Sequence, residues 1–289
     1  MAQQLGSAMF ANQIGQGLGM LSGEVLSSSD IGIPLTPDGR PTLLPANVNI
    51  FADGLDVPRQ EVLLYVALRE CAHQRLFTHV PWLRSRLEDA VAAYARGIKV
   101  DMSQMEDMFG KIDPSNPASI NEVMSGGEMF QLSQTPEQEV ALARLETLLA
   151  LVEGWVDNAV TQSVGDKLPK LPQLTEAMRR RRAAGGPAEK TFASLVGLEL
   201  RPRRLREAAQ FWARVQADGD IAARDGYWDH PDLLPTAPDL DDLDEFFQRS
   251  GAADLEVPEL DGPLGEDGPL PDDKPDENEL AITAEAGDL

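Results

Sequence analysis

The stretch from Pro58 to Val80 constrains the fold most, because it predicts one long helix with apolar residues around much of its circumference. Proline suits the first turn of a helix, where its missing N–H costs little, and good helix formers continue to Leu76. The apolar residues between Val62 and Leu68 cover several faces, which is typical of a helix surrounded by other elements. Val80-Pro81 predicts the end of this helix and the start of the next. We therefore expect a mainly α-helical domain built around this segment.

The same helix carries Arg69-Glu70-Cys71-Ala72-His73, which has the spacing of an H-E-x-x-H zinc-protease motif with arginine in place of the first histidine. In an intact motif two imidazoles one helical turn apart reach one Zn²⁺, and the glutamate activates the metal-bound water. A guanidinium offers no lone pair to a metal and stays protonated at working pH. The spacing is therefore that of a metalloprotease, whereas the chemistry of Arg69 predicts a degenerate site.

A second long helix is predicted from about residue 136 to about residue 164 by a strong start signal. Thr135 is a good N-cap, Pro136 suits the first helical position, and Gln138 completes a capping box. Within this helix Glu153 lies in an apolar run, with Asp157 one turn later on the same face. A buried carboxylate must be paired or bind a metal, because burying it alone is expensive. Glu153 is therefore the candidate third metal ligand, with Asp157 beside it.

Ten blocks of sequence, together with their order along the chain, carry a resemblance to a known family. They lie at residues 13–16, 23–26, 43–47, 67–73, 80–83, 152–157, 180–182, 185–189, 198–203 and 230–235.

In these blocks the chain resembles the actinobacterial zincin-like family usually labelled zinc-dependent metalloprotease, one branch of which is associated with deazaflavin coenzyme biosynthesis. The resemblance spans roughly residues 5–245 and implies a zincin-like, largely helical domain. It also implies zinc ligands at His73 and Glu153 and a general base at Glu70. Arg69 departs from the zincin pattern. Family members usually extend further upstream, so we expect this chain to be an amino-terminally shortened form.

Two functional hypotheses follow for the site. In the first, the protein is a metal-free, non-catalytic scaffold or interaction protein, and Arg69 replaces the metal by pairing with Glu70, Glu153 or Asp157. It then needs no cofactor. In the alternative, the protein is an active zinc-dependent peptide hydrolase, with zinc held by His73, Glu153 and one unidentified group while Glu70 activates water. Catalytic zinc sites normally have three protein ligands, which favours the first hypothesis.

Charge is distributed unevenly along the chain. The formal net charge is −23, but 18 of the 48 acidic residues lie between Asp239 and the C-terminus. The tail at 246–289 is rich in Pro, Gly, Asp and Glu, so it is expected to be disordered, leaving residues 1–245 as the helical domain. The single cysteine, Cys71, excludes an internal disulfide and fits a reducing compartment. With no secretory signal visible, we expect a cytoplasmic protein.

The amino-terminal segment has small residues at every fourth position, namely Ala11, Gly15, Gly19 and Gly23. Such spacing would favour helix packing in a membrane, but the polar residues between them favour a soluble helix packed closely on another. No membrane partner is therefore expected.

Arginines cluster at Arg179–Arg182 and at Arg201–Arg206, which raises the possibility of nucleic-acid binding. No aromatic residues are interleaved with them, and the domain is net acidic. We expect these arginines to pair with carboxylates of the same protein, and a partner, if any, to be a protein or peptide. The remaining histidines, His79 and His230, are expected to be structural rather than replacement ligands.

Overall fold

The computed structural model describes residues 2–36, 40–97, 135–184 and 203–253. These residues form α-helices joined by turns and two short 3₁₀-helices, and within them the only β-type pairing is an isolated antiparallel bridge between Ser27 and Leu43. The helices are α1 (Ala2–Glu24), α2 (Pro45–Asp53), α3 (Arg59–His79), α4 (Pro81–Arg96), α5 (Pro136–Val164), α6 (Leu171–Ala183), α7 (Leu205–Asp218), α8 (Ile221–Gly226), α9 (Ala237–Asp241) and α10 (Leu243–Ala253). The mainly α fold predicted from the sequence is confirmed. The family-resembling blocks at residues 185–189 and 198–203 lie largely outside the described residues.

Helix α5 is the centre of the core and packs against α3, α4 and α7. Its start is the predicted one: the Gln138 amide donates to Thr135 Oγ1 over 3.3 Å, and the Thr135 amide donates to Gln138 Oε1 over 3.0 Å. Both hydrogen bonds of the capping box are thus formed between two residues of the first turn.

The contact between α5 and α7 sets the rotation of α5. A Cβ at Gly154 would lie 2.8 Å from the carbonyl carbon of Ala208, so the two backbones approach more closely than any larger residue permits. One turn away, Trp212 Nε1 donates to the Leu151 carbonyl over 2.8 Å. With this face of α5 fixed against α7, Glu153 and Asp157 lie on the side that contacts α3 and α6.

Helix α3 is buried on one face, not around its circumference as its apolar pattern predicted. Leu63 and Leu64 are 44% and 45% exposed, whereas the buried face includes Arg69, Glu70 and His73. A hydropathy pattern cannot anticipate this arrangement, because burying charged groups is tolerated only when distant segments supply their partners.

Residues 25–36, which we call the strap, connect α1 to the segment leading into α2, and positions 25–32 are all buried. Gly32 has a positive φ of 79°, and a Cβ there would lie 2.8 Å from Leu149 Cδ2 and 3.6 Å from Glu153 Oε1. The positive φ favours glycine at this position, and the strap approaches Leu149 and Glu153 of α5 closely there.

The close packing predicted for the small residues of α1 is wrong within the described part of the chain. A Cβ at Gly15, Gly19 or Gly23 would meet nothing within 4 Å. The spacing of small residues permits close approach of another helix, but it does not provide that helix. No helix among the described residues has the length and apolar content needed to cross a membrane.

At the other end, α10 runs through the boundary predicted between residues 245 and 246. Phe246 is buried and its ring centroid lies 5.7 Å from that of Phe211, and the first compact unit ends at Arg249. Aromatic packing against α7 is a contact that the acidic composition of this region did not reveal. The division into a helical domain and an acidic tail stays a prediction, since residues 254–289 lie outside the described part.

Candidate functional site

Arg69 of α3 contacts both candidate carboxylates of α5. Its Nη2 donates to Glu153 Oε2 and its Nη1 donates to Asp157 Oδ1, and the Tyr65 hydroxyl lies 3.4 Å from Nη1. The side chains of Arg69 and Glu153 are 5% and 4% exposed, so this ion pair is buried. Helical spacing makes the double contact possible, because Glu153 and Asp157 are one turn apart on the same face of α5.

His73 lies on the same buried face of α3 and reaches Glu153 as well. Its Nδ1 lies 2.9 Å from the Arg69 carbonyl, which can only accept, so Nδ1 donates. Its Nε2 lies 3.0 Å from Glu153 Oε1. A histidine that donates from Nδ1 to a carbonyl is oriented as metal-binding histidines are. Here Nε2 is directed at a Glu153 carboxylate oxygen rather than at an open position.

Helix α6 supplies two more cations to the same carboxylates. Arg182 lies 2.7 Å from Glu153 Oε1, and Arg179 lies 3.3 Å from Asp157 Oδ2. Each carboxylate therefore contacts two guanidinium groups. The prediction that the Arg179–Arg182 run pairs within the domain is confirmed, whereas its pairing with the candidate site itself was missed. We call Arg69, Arg179, Arg182, Glu153 and Asp157 the charge cluster.

The ionisation of the cluster follows from these contacts. Burial alone would raise the pKa of Glu153, but Arg182 and Arg69 outweigh it and hold that pKa at about 2. Burial would lower the pKa of Arg69, but Tyr65, Asp157 and Glu153 raise it well above its ordinary value. The central pair is therefore charged at neutral pH, as a guanidinium–carboxylate pair with direct hydrogen bonds.

Glu70 has separate partners, in the strap, at Thr42 before α2 and on its own helix. Its Oε2 accepts from the Ser29 amide over 3.1 Å and from Ser29 Oγ over 2.5 Å. Its Oε1 accepts from Ser28 Oγ over 2.5 Å, from Gln74 Nε2 over 2.9 Å and from the Thr42 amide over 3.4 Å. Burial would raise the pKa of Glu70, but the hydrogen bonds from Ser28 and Ser29 lower it overall. The residue is 1% exposed.

The arrangement does not fit a catalytic zinc ion. Such a site needs three donor groups and one open position, and among the described residues no three His, Cys, Asp or Glu are placed to hold a metal together. Both oxygens of Glu153 face cationic or hydrogen-bond donating groups, and the three guanidinium groups of the cluster would repel a dication. Glu70 has both oxygens engaged and is not placed to accept a proton from a water molecule.

The structure thus brings together four of the five residues singled out from the sequence, namely Arg69, His73, Glu153 and Asp157, and leaves Glu70 bound to the strap. Sequence reasoning missed Ser28 and Ser29. Their only local signal is the run of small polar residues at 27–30 just before Gly32, which is also typical of an exposed turn. The roles assigned to the five residues stay predictions.

The remaining histidines are placed away from these groups. His230 is exposed, and its Nδ1 accepts from the Asp232 amide over 3.2 Å at the start of a 3₁₀-helix, so it is a loop residue as predicted. His79 ends α3, where its Nδ1 donates to the Arg75 carbonyl over 2.8 Å. Cys71 is exposed on the opposite side of α3 from the buried face.

Neither a curated protein nor a solved structure matches this chain. A family model described as Zincin-like metallopeptidase matches residues 1–247. The match covers α1 to the first turns of α10, and so contains the strap, the Arg69–His73 segment and the charge cluster. Since the match covers most of the chain, this chain belongs to the Zincin-like metallopeptidase family.

Proposed function

We propose that this protein is a metal-free, non-catalytic member of its family that serves as a scaffold or interaction protein. The observation that carries the proposal is the double contact of Arg69 with Glu153 and Asp157. In this proposal the guanidinium provides the positive charge that a metal ion would otherwise bring to those carboxylates.

The charges around Glu153 support this proposal. Three guanidinium groups lie against two carboxylates in the charge cluster. A Zn²⁺ placed between His73 and Glu153 would add two positive charges to a buried group that already has an excess of one. In a poorly screened interior such repulsion is much stronger than in water.

The alternative function is a zinc-dependent peptide hydrolase with Glu70 as general base. One observation favours it. His73 Nε2 and Glu153 Oε1 are 3.0 Å apart, a separation that two ligands of one metal ion could have. This function would require a third ligand beyond those two and the release of Glu70 from Ser28 and Ser29. We rank it second for these reasons.

The proposal extends to partners and location. We propose a protein or peptide partner, no nucleic acid, no membrane and a cytoplasmic location. The pairing of Arg179, Arg181 and Arg182 with Asp157, Asp30 and Glu153 supports the exclusion of nucleic acid, because each of these cations already contacts a carboxylate of the domain. Membership of the deazaflavin-associated branch and an actinobacterial source stay predictions.

Metal analysis of the full chain tests the proposal. The protein is purified without added zinc, its metal content is measured by mass spectrometry, and hydrolysis of a mixed peptide library is followed with and without a chelator. We expect far less than one zinc per chain and no chelator-sensitive hydrolysis. One tightly held zinc per chain together with hydrolysis that a chelator abolishes would overturn the proposal and establish the alternative.

A further inference from the structure

The strap is attached to the buried face of α3 through Glu70. The Ser29 amide and both serine hydroxyl groups donate to the two carboxylate oxygens. Because the acceptor is charged, these bonds are stronger than ordinary neutral hydrogen bonds. The carboxylate that the motif places at the general-base position is thus saturated by the strap and by Gln74.

A second attachment joins the strap to α6. The Asp30 side chain accepts from the Leu26 amide over 2.9 Å and from Arg181 Nη1 over 2.9 Å. Arg182 Nη2 donates to the Asp30 carbonyl over 2.6 Å, and Arg182 also lies 2.7 Å from Glu153 Oε1. One arginine therefore connects the strap to the charge cluster.

The space between the strap and α5 is closed at Gly32. A single Cβ added there would lie 2.8 Å from Leu149 Cδ2 and 3.6 Å from Glu153 Oε1. Glu153 lies at this contact and is 3% exposed, and His73, which contacts Glu153, is 2% exposed. A peptide segment cannot pass between the strap and α5 unless the strap moves.

From these contacts we propose that residues 25–36 are a closing strap, which covers the face of α3 that carries the Arg69–His73 segment and is held there by Glu70. Glu70 acts as its anchor. The strap prevents peptidase chemistry independently of Arg69. Two separate features therefore oppose catalysis: Arg69 puts a cation at a metal-ligand position, and the strap occupies the carboxylate of Glu70 at the general-base position. This proposal rests on the proposed function in one respect: both take Glu70 not to act as a general base.

Hydrogen exchange of the full chain, followed by mass spectrometry, tests the anchor. In Glu70→Gln the acceptor loses its charge, and the new NH₂ group replaces one of the two oxygens that accept from the strap, whichever way the amide is oriented. We expect amides of residues 25–36 to exchange about tenfold faster or more, because a lost charged hydrogen bond changes local opening by that order. Amides of α5 should change much less. Glu88→Gln, at an exposed position of α4, is the matched control and should exchange like the wild type.

A second variant covers the case in which Glu70→Gln does not fold. Ser28→Ala combined with Ser29→Ala removes the two hydroxyl donors while keeping Glu70, and it should loosen the same segment. Strap amides that exchange in both folded variants as they do in Glu88→Gln would overturn the proposal.

The independence of the two features that oppose catalysis is tested in Arg69→His, which removes the cation from the motif. We expect this variant to bind zinc without hydrolysing peptides, and the triple variant with Ser28→Ala and Ser29→Ala to gain hydrolysis. Equal hydrolysis by both zinc-loaded variants would contradict the block by the strap. Failure of Arg69→His to take up zinc would count instead against the charge-substitution proposal, and the exchange result would still decide the strap.

Discussion

Arg69 of α3 and Glu153 of α5 form a buried ion pair although 84 residues separate them in the chain. The motif spacing would place a zinc ligand at each of these two positions. In the proposed function, the pair connects α3 and α5 through a fixed organic cation, where a shared metal ion would otherwise do so. His73 adds a second contact to the same carboxylate.

Removing the guanidinium should destabilise the domain. Arg69→Ala leaves Glu153 and Asp157 buried with one arginine each, so we expect a loss of about 3 kcal/mol in the free energy of unfolding, at the low end for a broken buried pair. Urea unfolding followed by circular dichroism measures it. Arg59→Ala, which breaks the exposed pair with Asp53, should change stability by no more than about 1 kcal/mol. Equal losses of unfolding free energy in the two variants would show that the buried contacts of Arg69 stabilise the domain no more than an exposed ion pair does.

Restoring the first histidine should create a metal site. Arg69→His frees Glu153 Oε2 and provides three ligands with His73 and Glu153, a set that suits Zn²⁺. We expect zinc at a hundredfold excess over Kd to raise the Tm by about 5 °C or more, because a ligand of the native state stabilises it. Arg59→His places a histidine on the same helix about 15 Å away and should show no zinc-dependent shift. A shift of similar size in wild type and in Arg69→His would contradict the role given to Arg69.

Acid should weaken the domain through Glu153. Its pKa is depressed from 4.5 to about 2 in the folded protein, so the stability it contributes is complete above pH about 4.5 and is lost as the pH falls towards about 2. Glu70, whose pKa is also lowered, acts in the same direction. The midpoint of urea unfolding should therefore decrease over this window.

Glu153→Gln isolates that contribution. The variant should be less stable at neutral pH, because Arg69 and Arg182 lose their charged partner, but its stability should fall less steeply with acid than that of the wild type. Parallel slopes for the two proteins below pH about 4.5 would contradict the depressed pKa of Glu153.

Close packing at Gly154 should tolerate no added methyl group. Gly154→Ala places a Cβ 2.8 Å from the Ala208 backbone, and overpacking of this kind costs about 1–3 kcal/mol. Gly15→Ala is the matched control: its Cβ meets nothing within 4 Å, so the better helix propensity of alanine should stabilise α1 by up to about 1 kcal/mol. Thermal unfolding of both variants measures the difference in sign. A stabilised Gly154→Ala would show that α5 and α7 are not in contact there.

The sequence by itself determined the parts of this protein that depend on near neighbours. The start of α5 was predictable from Thr135, Pro136 and Gln138, because a capping box forms within four consecutive residues. The spacing of Arg69 and His73, and of Glu153 and Asp157, placed each pair on one helical face for the same reason. The presence of a cation where a zinc ligand was expected was also readable from the residues alone.

Only the tertiary structure decided which partners these side chains meet. Nothing local indicates that Ser28 and Ser29 engage Glu70, or that Arg182 reaches Glu153, because each contact joins segments far apart in the chain. The apolar pattern of α3 overestimated its burial at Leu63 and Leu64 for the same reason. A helix can bury a charged face only when other segments bring opposite charges and hydrogen-bond donors to it. The free energy of replacing water by these partners depends on tertiary packing, which a local sequence pattern does not contain.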